Sequence, residues 1–156
     1  MKTKKASGSK KKTWTQKLND AKDLPKVIKL NAEAAKRWGG KTMVIPSPIE
    51  VDAIMKTVKK GKVLTINDIR KQLSKNHKTE AACPITTGIF AWIASHAAEE
   101  ARALGKKKIT PYWRTIKSTG ELNEKYPGGA SAQKKMLEAE GHEIIKKGNK
   151  YLFPLK

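Results

Sequence analysis

The stretch that follows Pro84 constrains this chain most. It runs to about Leu104, where Gly105 stops it, and Ile89, Trp92, Ile93, Ala97 and Ala101 recur along it at helical spacing. That pattern predicts one long helix with a buried stripe. Gly88, Ala91, Ala94 and Ala98 are small, so another backbone can approach it closely. Thr86, Thr87, Gly88, Ser95 and His96 interrupt its apolar run, which is too short and too polar to span a bilayer.

The residues on either side read as elements built around that helix. Ser47-Pro48-Ile49-Glu50 is a capping box with proline at the first helical position, and Val51, Ile54, Met55 and Val58 follow at helical spacing up to Gly61. Thr65 to Asp68 opens a second helix in which Ile66, Ile69 and Leu73 share a face. After the long helix, Trp113 to Ile116 reads as a short strand, with turns at Lys117-Ser118-Thr119-Gly120 and Tyr126-Pro127-Gly128-Gly129. A helix over Ser131–Glu140, stopped by Gly141, precedes a hairpin pairing His142–Ile145 with Tyr151–Phe153. The order predicts a mainly α fold with small β: a winged helix-turn-helix over residues 47–156.

Residues 14–46 read as an N-terminal extension. It holds a helix from Thr15 to Lys22, a strand from Lys26 to Leu30, a helix capped by Asn31 and an extended Met43-Val44-Ile45. Residues 1–13 carry six lysines and no acid, and predict a disordered basic arm.

Charge points to the partner. Lys+Arg total 34 against 14 Asp+Glu, a formal charge of +20. So large an excess predicts a polyanion, duplex DNA first and structured RNA second. The only arginines are Arg37, Arg70, Arg102 and Arg114. Lysine meets phosphate as a point charge, whereas arginine reads guanine through two parallel hydrogen bonds, so backbone-dominated, salt-sensitive binding is expected. Cys83 is the single cysteine, which excludes an internal disulfide and fits a reducing compartment. No leader-like apolar core follows the basic N-terminus. A monomeric cytoplasmic protein, nucleoid-associated if bacterial or archaeal, is expected.

From about Ser47 to Phe153 the chain resembles the DNA-binding domain of O6-alkylguanine-DNA alkyltransferases, and more closely their alkyltransferase-like relatives. The residues that carry the resemblance are Gly61-Lys62-Val63-Leu64-Thr65 with Asp68-Ile69, Pro111-Tyr112-Trp113-Arg114, Ser118-Thr119-Gly120, Tyr126, Gly128-Gly129, Gln133, Leu137 and Glu138-Ala139-Glu140-Gly141. The resemblance implies minor-groove binding through the second helix of the helix-turn-helix. It also implies a pocket for a flipped guanine, whose alkyl group the enzymes move to the cysteine of a Pro-Cys-His-Arg motif. In the alkyltransferase-like group that cysteine is replaced and the lesion is bound without repair.

Tyr112 stands at the cysteine's place. A phenol with pKa about 10 cannot replace the thiolate that accepts an alkyl group, so transfer to position 112 is excluded. Trp113 stands at the histidine's place, and an indole N–H only donates. Glu140 matches the glutamate that orients that histidine, and Arg114 matches the motif arginine. The family's flipping tyrosine corresponds to Ile66, and its stack-filling arginine corresponds to Ile85, an apolar candidate wedge. Pro127 replaces a serine near the lesion oxygen.

The resemblance therefore implies a base pocket walled by Pro111, Tyr112, Trp113, Arg114, Tyr126, Gly128 and Glu140. The alternative is a pocket that Tyr112 and Trp113 have filled. The DNA face is expected to use Lys62, Ile66, Ile85, Thr86, Thr87, Gly88, Lys117 and Lys125. No cofactor is expected. His96 and His142 lack partners at ligand spacing, so no metal is expected either. The leading expectation is a non-catalytic DNA-binding protein of the alkyltransferase-like type that senses alkylated guanine. The alternatives are a winged-helix protein bound to RNA or the ribosome, and an alkyltransferase that uses Cys83, which lies at a helix N-terminus with His77 and Glu80 near in sequence.

Overall fold

The computed structural model describes residues 12–155. The basic arm expected over 1–13 lies almost wholly outside them. In chain order the described residues form α1 (Trp14–Asn19), β1 (Lys26–Lys29), α2 (Ala32–Trp38), β2 (Thr42–Ile45), α3 (Pro48–Met55), β3 (Leu64–Thr65), α4 (Ile66–His77), β4 (Ala81–Ala82) and α5 (Pro84–Ala103). A 3-10 turn (Tyr112–Arg114), β5 (Thr115–Ile116), α6 (Gly129–Ala139), β6 (Ile145–Lys147) and β7 (Lys150–Leu152) complete it. The fold is mainly α with small β.

Helix α5 is the axis. Ala91, Ala94, Ala97 and Ala98 are buried on it, and α1, α3 and α4 pack around it with Leu18, Val51, Met55, Ile69 and Leu73. Capping starts α3 and α4 where the sequence predicts: Ser47 pairs reciprocally with Glu50, and Thr65 with Asp68. Asp52 of α3 is buried, but its oxygens are used, one accepting from the Thr110 hydroxyl at 2.6 Å and the other facing the Lys56 ammonium at 3.1 Å.

The N-terminal extension is built into the same core. β2 pairs antiparallel with β1 and parallel with β4, so the segment between α4 and α5 completes a three-stranded sheet. Helix α1 docks on α5 through Glu100, whose carboxylate accepts from the backbone N–H groups of Trp14 and Thr15, at 2.8 and 2.9 Å, and from the Thr15 hydroxyl at 2.8 Å. Burial opposes the charge on Glu100, but these donors prevail and hold its carboxyl below the usual range.

Three expected elements are corrected. The strand over Trp113–Ile116 begins instead as the 3-10 turn, in which the Arg114 N–H donates to the Pro111 carbonyl at 3.1 Å and the Thr115 N–H to the Tyr112 carbonyl, and it keeps only Thr115–Ile116; buried Gln133 donates to the Trp113 and Thr115 carbonyls, at 3.1 and 3.0 Å. Helix α6 starts at Gly129, two residues before Ser131, on the left-handed cap Gly128 with φ +80. The hairpin is Ile145–Lys147 with Lys150–Leu152. His142 belongs to the end of α6, where its N–H donates to the Leu137 carbonyl at 3.1 Å beyond left-handed Gly141.

Candidate nucleic-acid interface

The residues expected to wall a base pocket are brought together, but around a filled space. Tyr112 is 1% exposed and Tyr126 2% exposed, with their rings edge to face at 5.5 Å. Trp113 abuts Tyr112 edge to face at 5.3 Å. The Tyr112 hydroxyl donates to Glu99 of α5 at 2.7 Å. Burial, and then that carboxylate, push the Tyr112 phenol well above its ordinary pKa, so it stays neutral; burial alone does the same to Tyr126. Tyr112 and Tyr126, expected in the wall of a base pocket, are buried against each other and line neither of the two hollows described below.

Glu140 is held in a structural network. It accepts from the Trp113 indole N–H at 3.0 Å and from the Arg114 guanidinium at 2.7 Å, while Arg114 also donates to the Val58 carbonyl at 2.8 Å. Burial works against the Glu140 charge, but Arg114 and Trp113 outweigh it and hold the carboxyl below its usual range. Pro111 and Trp113 face a different hollow, and Gly128 is exposed at the start of α6.

A cleft of about 750 Å³ opens instead beside the N-terminal half of α5. Ile85, Gly88, Ile89 and Trp92 form one wall, successive turns of a single helix face. Ile66, Lys117 and Ser118 form the second, and Asn123, Glu124 and Lys125 the third. Parallel pairing of β3 with β5 sets Leu64 against Thr115, which carries the 117–120 turn to the start of α4, where Ser118 accepts from the Asn67 N–H at 3.1 Å. Gln133 holds the third wall by accepting from the Asn123 N–H at 2.7 Å, and His96 Nε2 meets the Lys125 carbonyl at 3.0 Å. A carbonyl only accepts, so that ring nitrogen carries the proton.

Ile85 projects from this cleft 60% exposed, and a Cβ added at Gly88 would meet nothing within 4 Å. Lys62 and Lys125 are exposed. Lys117 is paired with Glu124 at 3.0 Å, an acid whose own backbone N–H and this ammonium hold its carboxyl low.

No family model matches the chain, and no curated protein does. Among solved structures it is similar to S. pombe Atl1 in complex with damaged DNA containing O6-carboxymethylguanine. That similarity has 22% identity and a TM-score of 0.48, and it covers 69% of this chain and 87% of that one.

Of the eight residues expected on a DNA face, Ile66, Ile85, Gly88, Lys117 and Lys125 line this cleft, and exposed Lys62 lies just before β3. Thr86 and Thr87 do not line it. Thr87 is fully buried, its hydroxyl donating to the Cys83 carbonyl at 2.6 Å. Thr86 is half-buried, with Oγ1 enclosed and unpartnered. Both follow from helix geometry, since Ile85 and Gly88 share a face that these two residues leave.

Cys83 is buried against Met43 and Ala81 in the cluster under the sheet and is absent from the cleft lining. His77 meets Glu50 instead. Among the described residues no His, Cys, Asp and Glu cluster fits a metal ion, and no helix is long and apolar enough to cross a membrane. The residue the sequence reading missed is Trp92. Its place in the helical stripe signals burial, yet it is half-buried in the cleft wall, edge to face with Trp14 at 5.0 Å, and Trp14 stacks on His96 at 4.5 Å.

Proposed function

We propose that this chain is a non-catalytic, duplex-DNA-binding protein of the alkyltransferase-like type, and that the cleft beside α5 is its DNA-facing site. The observation that carries the reading is the exposed Ile85 at the mouth of an apolar cleft in a protein of charge +20. Unpartnered apolar surface at a helix face is disfavoured in water, but it suits insertion between base steps. Exposed Lys62 and Lys125 meet phosphates, and the lysines of residues 1–13 add to the charge that attracts the duplex. The β6–β7 hairpin serves as the wing.

Alkyl transfer at position 112 has no support in the chemistry. The Tyr112 phenol is neutral and buried, and its hydroxyl keeps its proton while donating a hydrogen bond to Glu99. Recognition of a modified guanine falls instead to Ile66, Ile89 and Trp92, whose apolar surfaces favour an O6-alkyl group over an unmodified carbonyl oxygen. The test is an anisotropy titration with guanine and O6-alkylguanine duplexes at about 0.15 M salt. Duplex binding with preference for the alkylated strand is expected. Absence of duplex binding removes the whole reading, equal affinity removes the lesion-sensing part, and stronger binding to structured RNA replaces it.

A further inference from the structure

A second hollow, of about 540 Å³, lies beyond the C-terminal end of α5. It is lined by Ile109, Pro111 and Trp113 below and by Lys56, Lys107, Lys108 and Arg114 around it. None of these residues lies on α5, and none lines the first cleft, so the two sites are built from separate side chains.

The charges divide cleanly. Arg114 is engaged by Glu140, and Lys56 by buried Asp52. Lys107 and Lys108 have no acidic partner among the described residues. The floor is rigid. The Trp113 indole is tied to Glu140 at 3.0 Å, its carbonyl is held by Gln133, and Thr110 is anchored to Asp52. A half-buried indole, with the Arg114 guanidinium 5.5 Å from its ring centroid, beside unpaired ammonium groups matches a ligand with an aromatic plane and a phosphate. An acidic peptide would satisfy the lysines but make no use of the aromatic plane.

The geometry points to a nucleotide-binding subsite here: an unpaired base stacks over Trp113 and Pro111 while Lys107 and Lys108 take its phosphates. Its ligand is a single nucleic-acid strand, held at the same time as a duplex in the first cleft.

The full chain is titrated with a labelled single strand of about eight nucleotides, alone and with saturating unlabelled duplex. Binding in both conditions is expected. Lys107→Glu with Lys108→Glu, in an exposed loop, should weaken the single strand by about tenfold or more and leave duplex affinity and Tm unchanged. Complete displacement of the strand by duplex, or equal loss of both ligands in the variant, overturns the proposal. Adenosine monophosphate should displace the strand at lower concentration than inorganic phosphate at matched ionic strength. Equal displacement overturns the stacking role of Trp113. Failure of duplex binding alone leaves the strand titration without duplex to decide this site independently.

Discussion

Two aromatic regions border α5, and their polar groups are in opposite states. Around Tyr112 and Trp113 the hydroxyl, the indole N–H, the guanidinium and the carboxylate are joined in hydrogen bonds, and the rings of Tyr112 and Tyr126 are closed over. Around Ile85 and Trp92 the apolar surface is open and an exposed lysine, Lys125, borders it. The tyrosines of the first region are spent on internal contacts, whereas the second leaves its apolar surface to solvent. Aromatic rings with polar groups can serve as core provided every buried polar atom finds a partner.

The sharpest break comes from Arg114→Ala, which strands the Glu140 carboxylate in a part-buried setting. A loss of about 3–5 kcal/mol in urea unfolding is expected, with duplex affinity of the folded fraction preserved. If affinity fell while stability held, the closed region would be an interface after all.

The same pair has a pH signature. The folded pKa of Glu140 is depressed, so its contribution is present above the unfolded carboxyl pKa, about 4.3, and is lost as pH falls through the folded value. Glu140→Gln should flatten the acid limb of a stability–pH profile while lowering its plateau. An unchanged acid limb would mean the pair is not what acid breaks.

On the open side, Ile85→Glu should cut duplex affinity about tenfold by setting a carboxylate against phosphate, while stability moves by no more than about 0.5 kcal/mol. Unaltered affinity would place the DNA elsewhere. Gly88→Ala is the subtler probe, because the added methyl meets nothing in the free protein. It should stabilise the helix by about 0.5–1 kcal/mol and weaken the duplex only if DNA approaches the backbone there. The smallest effects belong to the lysines. Lys62→Gln or Lys125→Gln should each lower the salt slope by about 1, and Lys117→Gln by less, because Glu124 already engages Lys117.

Much of the fold was legible because it is locally encoded. Capping boxes at Ser47 and Thr65, proline at Pro48 and Pro84, and helical spacing through α3, α4 and α5 act over a few residues, so they survive without knowledge of the partner. The 3-10 turn at Tyr112 was not legible, since the segment is anchored by groups distant in sequence, Gln133 on the Trp113 carbonyl and Glu99 on the Tyr112 hydroxyl. The face of Thr87 was legible in principle from the same periodicity that marks Ile85, but a threonine near a helix start reads as readily as a contact.

The residues alone determined the charge, the long central helix and the presence of a phenol rather than a thiol at position 112. These are properties of composition, period and functional group. The tertiary structure decided which aromatic region is open, that α1 and β2 belong to the common core, and that Glu140 pairs with Arg114. Each depends on contacts between segments distant in sequence, and the packing of rings in a shared volume has no local signature.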